Sequence, residues 1–310
     1  MTTLKSPSLL GSQDLPLKSR PFRSTLYMPG SNLRALEKAK TLPVDALIFD
    51  LEDSVSPDKK SMARDQVVAA SKEARAGAYG KRQIMIRSNS LDTDWGEFDL
   101  RAAAVAAPDA IVLSKVNHAS DIHQAIAILE DAGLDEGTSI WAMMETPLSI
   151  LHAEEIAAAS PRMGGFVMGT SDLVKDIHGK HTQTRLPVIA SLNLCVLAAR
   201  AYQLLVLDGV YLDLNDETGF TASCEQGLEL GFDGKTLIHP KQIEASNTVF
   251  APDTAQLEFA GRIIAAHAQA ETEGKGVVLV EGKLIENLHV QDAHRIVALS
   301  EAIAAMSAVE

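Results

Sequence analysis

A chain of 310 residues, 46% hydrophobic and 22% charged, can bury one large core with a small companion, and it excludes global disorder. Its formal net charge of -13 argues against a general nucleic-acid binder and against docking on anionic membranes, while local Arg and Lys can still meet an anionic ligand. The two cysteines, Cys195 and Cys224, have no metal-type spacing and read as reduced thiols of a cytoplasmic protein.

In chain order, residues 1–20 (MTTLKSPSLLGSQDLPLKSR) are rich in Ser, Pro, Lys and Leu and lack the continuous apolar segment of a secretory signal. They are expected to form a loose tail. No run approaches the ~20 apolar residues of a membrane helix. Eight short apolar runs follow: RSTLYMP from Arg23, ALIFDLE from Ala46, QIMIRSN from Gln83, AIVLSKV from Ala110, SIWAMME from Ser139, GFVMGTSD from Gly165, LLVLDGV from Leu204 and GKTLIHP from Gly234. Helix-like segments such as SNLRALEKAKTL and HASDIHQAIAILEDA lie between most of them. This alternation predicts a parallel sheet covered on both sides. Eight units in about 230 residues suit a (β/α)8 barrel, whose usual size is about 250 residues. The expected barrel spans residues 21–250. A doubly wound open sheet is the alternative, but it usually has fewer strands and a glycine-rich turn after the first. Here the first run ends in MPGSN, which is no dinucleotide fingerprint.

Residues 251–310 change character. A helix is expected over 254–274, a strand pair in VVLVEGKLI turned at Glu281-Gly282, and a last helix in HVQDAHRIVALSEAIAAM. An α/β appendage of this size is too small to bury a core alone, so it should pack on the barrel or on a neighbouring subunit.

Reactive groups of a (β/α)8 barrel sit at the C-terminal ends of its strands. Those ends carry Asp50, Glu52 and Asp53, then Arg87, Lys115, Glu145, Ser171 with Asp172, Asp208 and His239. Carboxylates without nearby Cys or paired His favour a hard cation, so Mg2+ is expected over Zn2+. Glu145 and Asp172, on adjacent strand ends, are candidates for its two carboxylates. Asp50, Glu52 and Asp53 are candidates for holding bound waters at one remove, and Arg87 for meeting a carboxylate or a developing oxyanion. Each has a plainer reading. Asp172 can cap the next helix, FDLED can be a solvated turn, Arg87 can pair with one of the acids, and Lys115 and His239 can be structural.

The stretches RSTLYMPGSN, ALIFDLEDSV, IMIRSNS, WAMMETP, VMGTSDL, DGVY and GFDGKTLIHPKQI, in this order across 21–250, resemble the CitE-like branch of the HpcH/HpaI aldolase and citrate lyase superfamily. EGKLIENLH continues the likeness, which is strongest toward malyl-CoA lyases and malyl-CoA thioesterases. The resemblance implies a (β/α)8 barrel, Mg2+ or Mn2+, an acyl-CoA thioester substrate and a homotrimer or hexamer. It puts Glu145 and Asp172 on the metal ligands and Arg87 on the arginine that binds substrate and stabilises an enolate; Lys115, at the same rim, is a further candidate for binding substrate. It puts the acids of FDLED on the segment behind the metal. It further implies an acid lent by a neighbouring subunit from a motif like GKMID. Here that motif reads GKLIE, so Glu286 replaces the expected aspartate, and Ser114 stands where proline is common. The activity expected first is C–C cleavage of a malyl-CoA-type ester, giving glyoxylate and acetyl-CoA or propionyl-CoA. Hydrolysis to malate and CoA is the alternative, favoured by the extra methylene of Glu286. A non-catalytic acyl-CoA-binding subunit is the third reading.

Overall fold

The computed structural model describes residues 20–272, 274 and 278–307. The tail expected over 1–20 lies outside them except for Arg20. Strands β1 (Ser24–Pro29), β2 (Ala46–Asp50), β3 (Gln83–Ser88), β4 (Ala110–Leu113), β5 (Ser139–Met144), β6 (Met163–Met168), β7 (Leu205–Asp208) and β8 (Gly234–Leu237) pair in sequence order. β1 then pairs in parallel with β8 and closes the barrel, which excludes the doubly wound alternative. Helices fill the crossovers: α1 (Leu33–Ala39), α2 (Lys60–Arg75), α3 (Gly96–Ala106), α4 (Ala119–Asp131), α5 (Pro147–Leu151), α6 (Ala153–Ala157), α7 (Thr170–Asp176), α8 (Ile189–Ala201), α9 (Glu217–Leu230) and α10 (Ile243–Val249). None of the helices among the described residues is long and apolar enough to cross a membrane.

Side chains alternate across each strand, so every strand feeds two cores. One parity fills the barrel with Ala46, Ile48, Met85, Val112, Trp141, Met143, Val167 and Leu207. The other parity, including Leu47, Phe49, Ile86, Met144 and Met168, packs against the helices. Phe22 and Trp141, ring centroids 5.3 Å apart, plug the N-terminal end. Trp141 fits because β6 offers glycine beside it: a Cβ on Gly165 would come within 2.5 Å of the indole.

The C-terminal segment comprises α11 (Thr254–Thr272), the antiparallel pair β9 (Val278–Val280) and β10 (Lys283–Ile285), and α12 (Asn287–Ser307). The hairpin turns at Glu281 and Gly282, both left-handed with φ 51 and 76. That is the twist two-residue hairpins require. Ala260, Ile263, Val280, Ile285 and Ala293 form its own small cluster. The far end of α12 meets the barrel base, where the Lys81 ammonium donates to the Ala305 carbonyl at 2.9 Å.

Asp208, a strand-end acid in the sequence, does not face the mouth. Its parity turns it outward among the helices, fully buried. Lys235 Nζ lies 2.7 Å and Arg185 Nη1 2.6 Å from its carboxylate. Burial alone would raise its pKa, but the Lys235 and Arg185 charges outweigh that and hold it below the usual carboxylate range. A carboxylate depressed in this way stabilises the fold fully above its unfolded pKa of about 3.9, and loses that contribution as pH falls through the folded value. Asp208→Asn leaves Lys235 buried without its counter-charge. It is expected to cost about 3–5 kcal/mol at pH 7, with the gap to the parent protein narrowing below about pH 4. Urea unfolding at both pH values checks this, and equal stability at pH 7 would refute the role.

Candidate active site

The interior parity continues past the apolar layers to the mouth. In β2 the inward series Ala46, Ile48 ends at Asp50, in β3 Met85 is followed by Arg87, and in β5 Trp141 and Met143 are followed by Glu145. The polar groups at the mouth are therefore the next inward positions on strands whose earlier ones are apolar.

Arg87 is buried with its guanidinium 4.8 Å above the Tyr27 ring. Its Nε and Nη2 each donate at 2.7 Å to Asp50, a fork-to-fork pair. Nη1 lies 2.7 Å from Glu52 and 3.4 Å from Asp53. Asp50 also accepts the backbone N–H groups of Glu52 at 2.9 Å and Ser54 at 3.1 Å. Those bonds and the two from Arg87 occupy the four acceptor positions of a carboxylate. The sequence makes Asp50 a candidate for holding metal-bound water; in the structure its partners are the guanidinium and two backbone N–H groups. Glu52 is nearly buried, and that burial, with Asp53 and Asp50 adding and Arg87 opposing, raises its pKa. Asp53 is exposed and only brushes Arg87. Buried Lys60 pins this loop, donating to the Leu51 and Glu52 carbonyls at 2.8 Å and to Asn89 at 2.7 Å.

Glu145 and Asp172 converge on a second cation. Lys115, left-handed at φ 55, donates its backbone N–H to Glu145 at 2.8 Å. Its ammonium lies 3.4 Å from the other Glu145 oxygen and bonds Asp172 directly. Asp172 stands in the first turn of α7, where the helix dipole favours an anion. It does not cap that helix: Gly169 is the cap residue, without a side-chain bond. Gly169 is also needed there, because a Cβ on it would come within 2.4 Å of the Glu145 side chain. Burial, with Glu52 adding and Lys115 opposing, pushes Glu145 up to about 7. Burial would raise Asp172 as well, but the bond and charge from Lys115 hold it below its ordinary value. Burial works against the Lys115 charge, yet Glu145 and Asp172 raise its pKa.

This arrangement fits a hard divalent cation. Two carboxylates from neighbouring strands already point at one positive centre, and the buried one lacks enough positive charge to stay ionised at its ordinary pKa. Oxygen donors of this kind suit Mg2+ or Mn2+. Cavities flank the mouth. One of about 140 Å³ is lined by Asn89, Ser114, Lys115 and Asn117. Another of about 360 Å³ is lined by Thr170, Lys180, His181, Arg185 and Tyr211. A larger one, about 740 Å³, opens at the opposite end between the barrel base and α12 and touches none of these groups.

Three sequence candidates lie apart from the cluster. Asp208 faces outward, as described. His239 caps a short helical turn, its Nδ1 accepting the Lys241 N–H at 3.1 Å. Glu286 is exposed at the start of α12, its backbone N–H donating to His289 Nδ1 at 3.0 Å. Tyr27 and Lys60 were not singled out from the sequence. For Tyr27 the signal was available, since it follows Thr25 on the inward parity of β1. For Lys60 there was none, because its partners come from two other segments.

Residues 23–240 match the family model described as HpcH/HpaI aldolase/citrate lyase. The chain is 49% identical over 291 residues to a (3S)-malyl-CoA thioesterase of Cereibacter sphaeroides, covering 94% of this chain and 99% of that protein. It is 33% identical over 289 residues to citrate lyase subunit beta of Escherichia coli strain K12, covering 92% and 95%. A solved citrate lyase beta subunit from Mycobacterium tuberculosis, complexed with oxaloacetate and magnesium, superposes with a TM-score of 0.65 at 26% identity, covering 77% of this chain and 100% of that one.

Glu145→Ala and Asp172→Ala are each expected to abolish Mn2+ binding while circular dichroism stays that of the parent. Electron paramagnetic resonance of free Mn2+ checks this. Unweakened Mn2+ binding in both variants would remove the pair from any metal site.

Proposed function

The chain belongs to the HpcH/HpaI aldolase/citrate lyase family, and from that premise we propose that it is a divalent-metal-dependent enzyme hydrolysing a malyl-CoA-type thioester to the free hydroxy acid and CoA. The observation that carries a metal-dependent enzyme is the convergence of Glu145 and Asp172 on one cation, with Arg87 held in the same mouth. The 49% likeness to a malyl-CoA thioesterase puts hydrolysis ahead of the C–C cleavage expected first from sequence. C–C cleavage is the second reading, favoured by the 33% likeness to a citrate lyase subunit. Retention of both carboxylates weighs against a non-catalytic binding subunit.

A divalent cation held by Glu145 and Asp172 would supply Lewis-acid polarisation of substrate oxygens. The protein's own groups do the remainder. Asp50 and the Tyr27 ring fix the guanidinium of Arg87, committing two of its nitrogens and leaving Nη1 toward the acids of the mouth. From there a substrate oxygen that displaces Glu52 or Asp53 gains a fixed, buried donor as negative charge develops on it. Lys115, once displaced from the carboxylates, can meet an anionic group of the substrate. Water adds to the thioester carbon, the C–S bond breaks, and the thiolate leaves with a proton.

The acid–base group for that water is assigned here to Glu286 of a neighbouring copy. Its position in its own chain supports this. It is exposed, among contacts confined to the C-terminal segment, and flanked by exposed Leu279, Leu284 and Leu288. Leu279 and Leu284 are cross-strand neighbours, and exposed apolar side chains set together are what a subunit contact covers. A glutamate reaches about an ångström farther than an aspartate, enough to favour a water over the enol carbon.

With Mg2+ and malyl-CoA the expected products are malate and CoA; glyoxylate in their place would move the reading to C–C cleavage. Arg87→Lys, which cannot copy the bidentate fork, should cost at least about 2 kcal/mol in kcat/KM, and activity within twofold of the parent would make Arg87 structural.

Asp172→Ala and Glu286→Ala, each inactive alone, should restore activity when mixed and reassembled. Inactivity of verified mixed oligomers would deny the shared site. Glu286→Asp should shift products toward glyoxylate, and an unchanged ratio would remove the selecting role.

A further inference from the structure

The loops that carry Lys115 and Glu145 continue into a second cluster, which the proposed chemistry does not use. His118 precedes α4, His152 joins α5 to α6, and Glu155 lies in α6. One donor atom from each lies within 4.8 Å of the others. We infer that His118, His152 and Glu155 form a second metal site, selective for a late first-row transition ion such as Zn2+ and separate from the Glu145–Asp172 pair.

The geometry prepares the donors. His152 Nδ1 lies 2.9 Å from the backbone carbonyl oxygen of Asn117. A carbonyl only accepts, so Nδ1 carries the proton and Nε2 presents its lone pair. Metal-bound histidines are usually oriented by such a bond on the other ring nitrogen. The Ala119 N–H donates to Glu155 Oε1 at 3.2 Å, which holds one carboxylate oxygen and leaves the other. His118 Nδ1 lies 3.5 Å from that same Oε1, and the two imidazole rings are tilted by 34° with centroids 4.4 Å apart. Glu155 follows His152 by three residues, so one helical turn puts both on the same side.

The donor chemistry chooses the ion. Two imidazoles and a carboxylate suit Zn2+, Ni2+ or Cu2+, whereas Mg2+ prefers an all-oxygen shell. Tetrahedral Zn2+ with bonds of about 2.0–2.1 Å needs donors roughly 3.3 Å apart. The widest-spaced donors must therefore close by up to about 1.5 Å. His118 and Glu155, with side chains 47% and 46% exposed, have the freedom to do so around an anchored His152. Three protein ligands leave a fourth position for water.

The site would also tie two loops together. Asn117, whose carbonyl orients His152, accepts the Thr146 hydroxyl at 2.6 Å through its side chain. Thr146 follows Glu145, and Asn117 is two residues from Lys115. A metal here would fasten the loop after β4 to the one after β5.

The test uses the full chain carrying Asp172→Ala, which disables the hard-cation pair, dialysed against micromolar free Zn2+ in excess Mg2+. About one Zn2+ per chain is expected, and replacement by Co2+ should give the visible absorption of a tetrahedral site. Adding His152→Gln or Glu155→Gln should weaken Zn2+ binding at least about tenfold. Glu155→Gln preserves shape on an exposed helix face, so it decides the matter if His152→Gln fails to fold. No bound Zn2+, or binding undiminished by Glu155→Gln, would overturn the site.

Discussion

Carboxylates can be buried at the mouth of a closed barrel only where a cation stands between them. Isolated buried charge costs several kcal/mol even after the surroundings relax. Arg87 serves Asp50, Glu52 and Asp53, and Lys115 serves Glu145 and Asp172. Two cations against five carboxylates leave the mouth short of positive charge. The deficit appears at Glu145, which is as buried as Asp50 but lacks a bidentate guanidinium; burial pushes its carboxyl up to about 7. A divalent ion is the chemical answer to that deficit, and the pair facing Lys115 is where it would be felt most.

The two cations are not equivalent. Arg87 is locked by a bidentate carboxylate below and an aromatic ring beneath its face, so its orientation survives exchange of whatever meets Nη1. Lys115 is itself a left-handed residue with a flexible stem, and its side chain is about a third exposed. A rigid donor suits charge that develops during reaction, while a mobile ammonium suits a group that must yield its place to an incoming ion. The mouth thus combines a fixed half, on β1, β2 and β3, with an adjustable half, on β4, β5 and β6.

Outside the barrel wall the same problem recurs and is solved differently. Asp208, Lys235 and Arg185 form a closed set in which the acid is served by two cations. Nothing there is left wanting a ligand. The contrast between an over-served acid and an under-served one separates the outward ion cluster from the one at the mouth, although both sit at strand ends.

Eight runs rich in β-branched and apolar residues, spaced by helix-length segments, already dictated a parallel sheet covered on both faces and by their number favoured a barrel, while its closure through β1 and β8 came from the structure. The carboxylates at the ends of ALIFD and SIWAMM were legible for the same reason: an acid has no place inside an apolar strand. The hairpin at Glu281-Gly282 was legible from local turn chemistry. Parity was present in the sequence too, and applied strictly it separates Asp208, which follows the outward Val206, from the inward Glu145. What only the tertiary structure decided is which charges meet. Arg87 with Asp50, Lys60 with Asn89 and His118 with His152 are separated along the chain by whole β/α units. Their pairing follows from barrel closure and strand register, which bring distant loops within a few ångströms, and no local pattern records that distance.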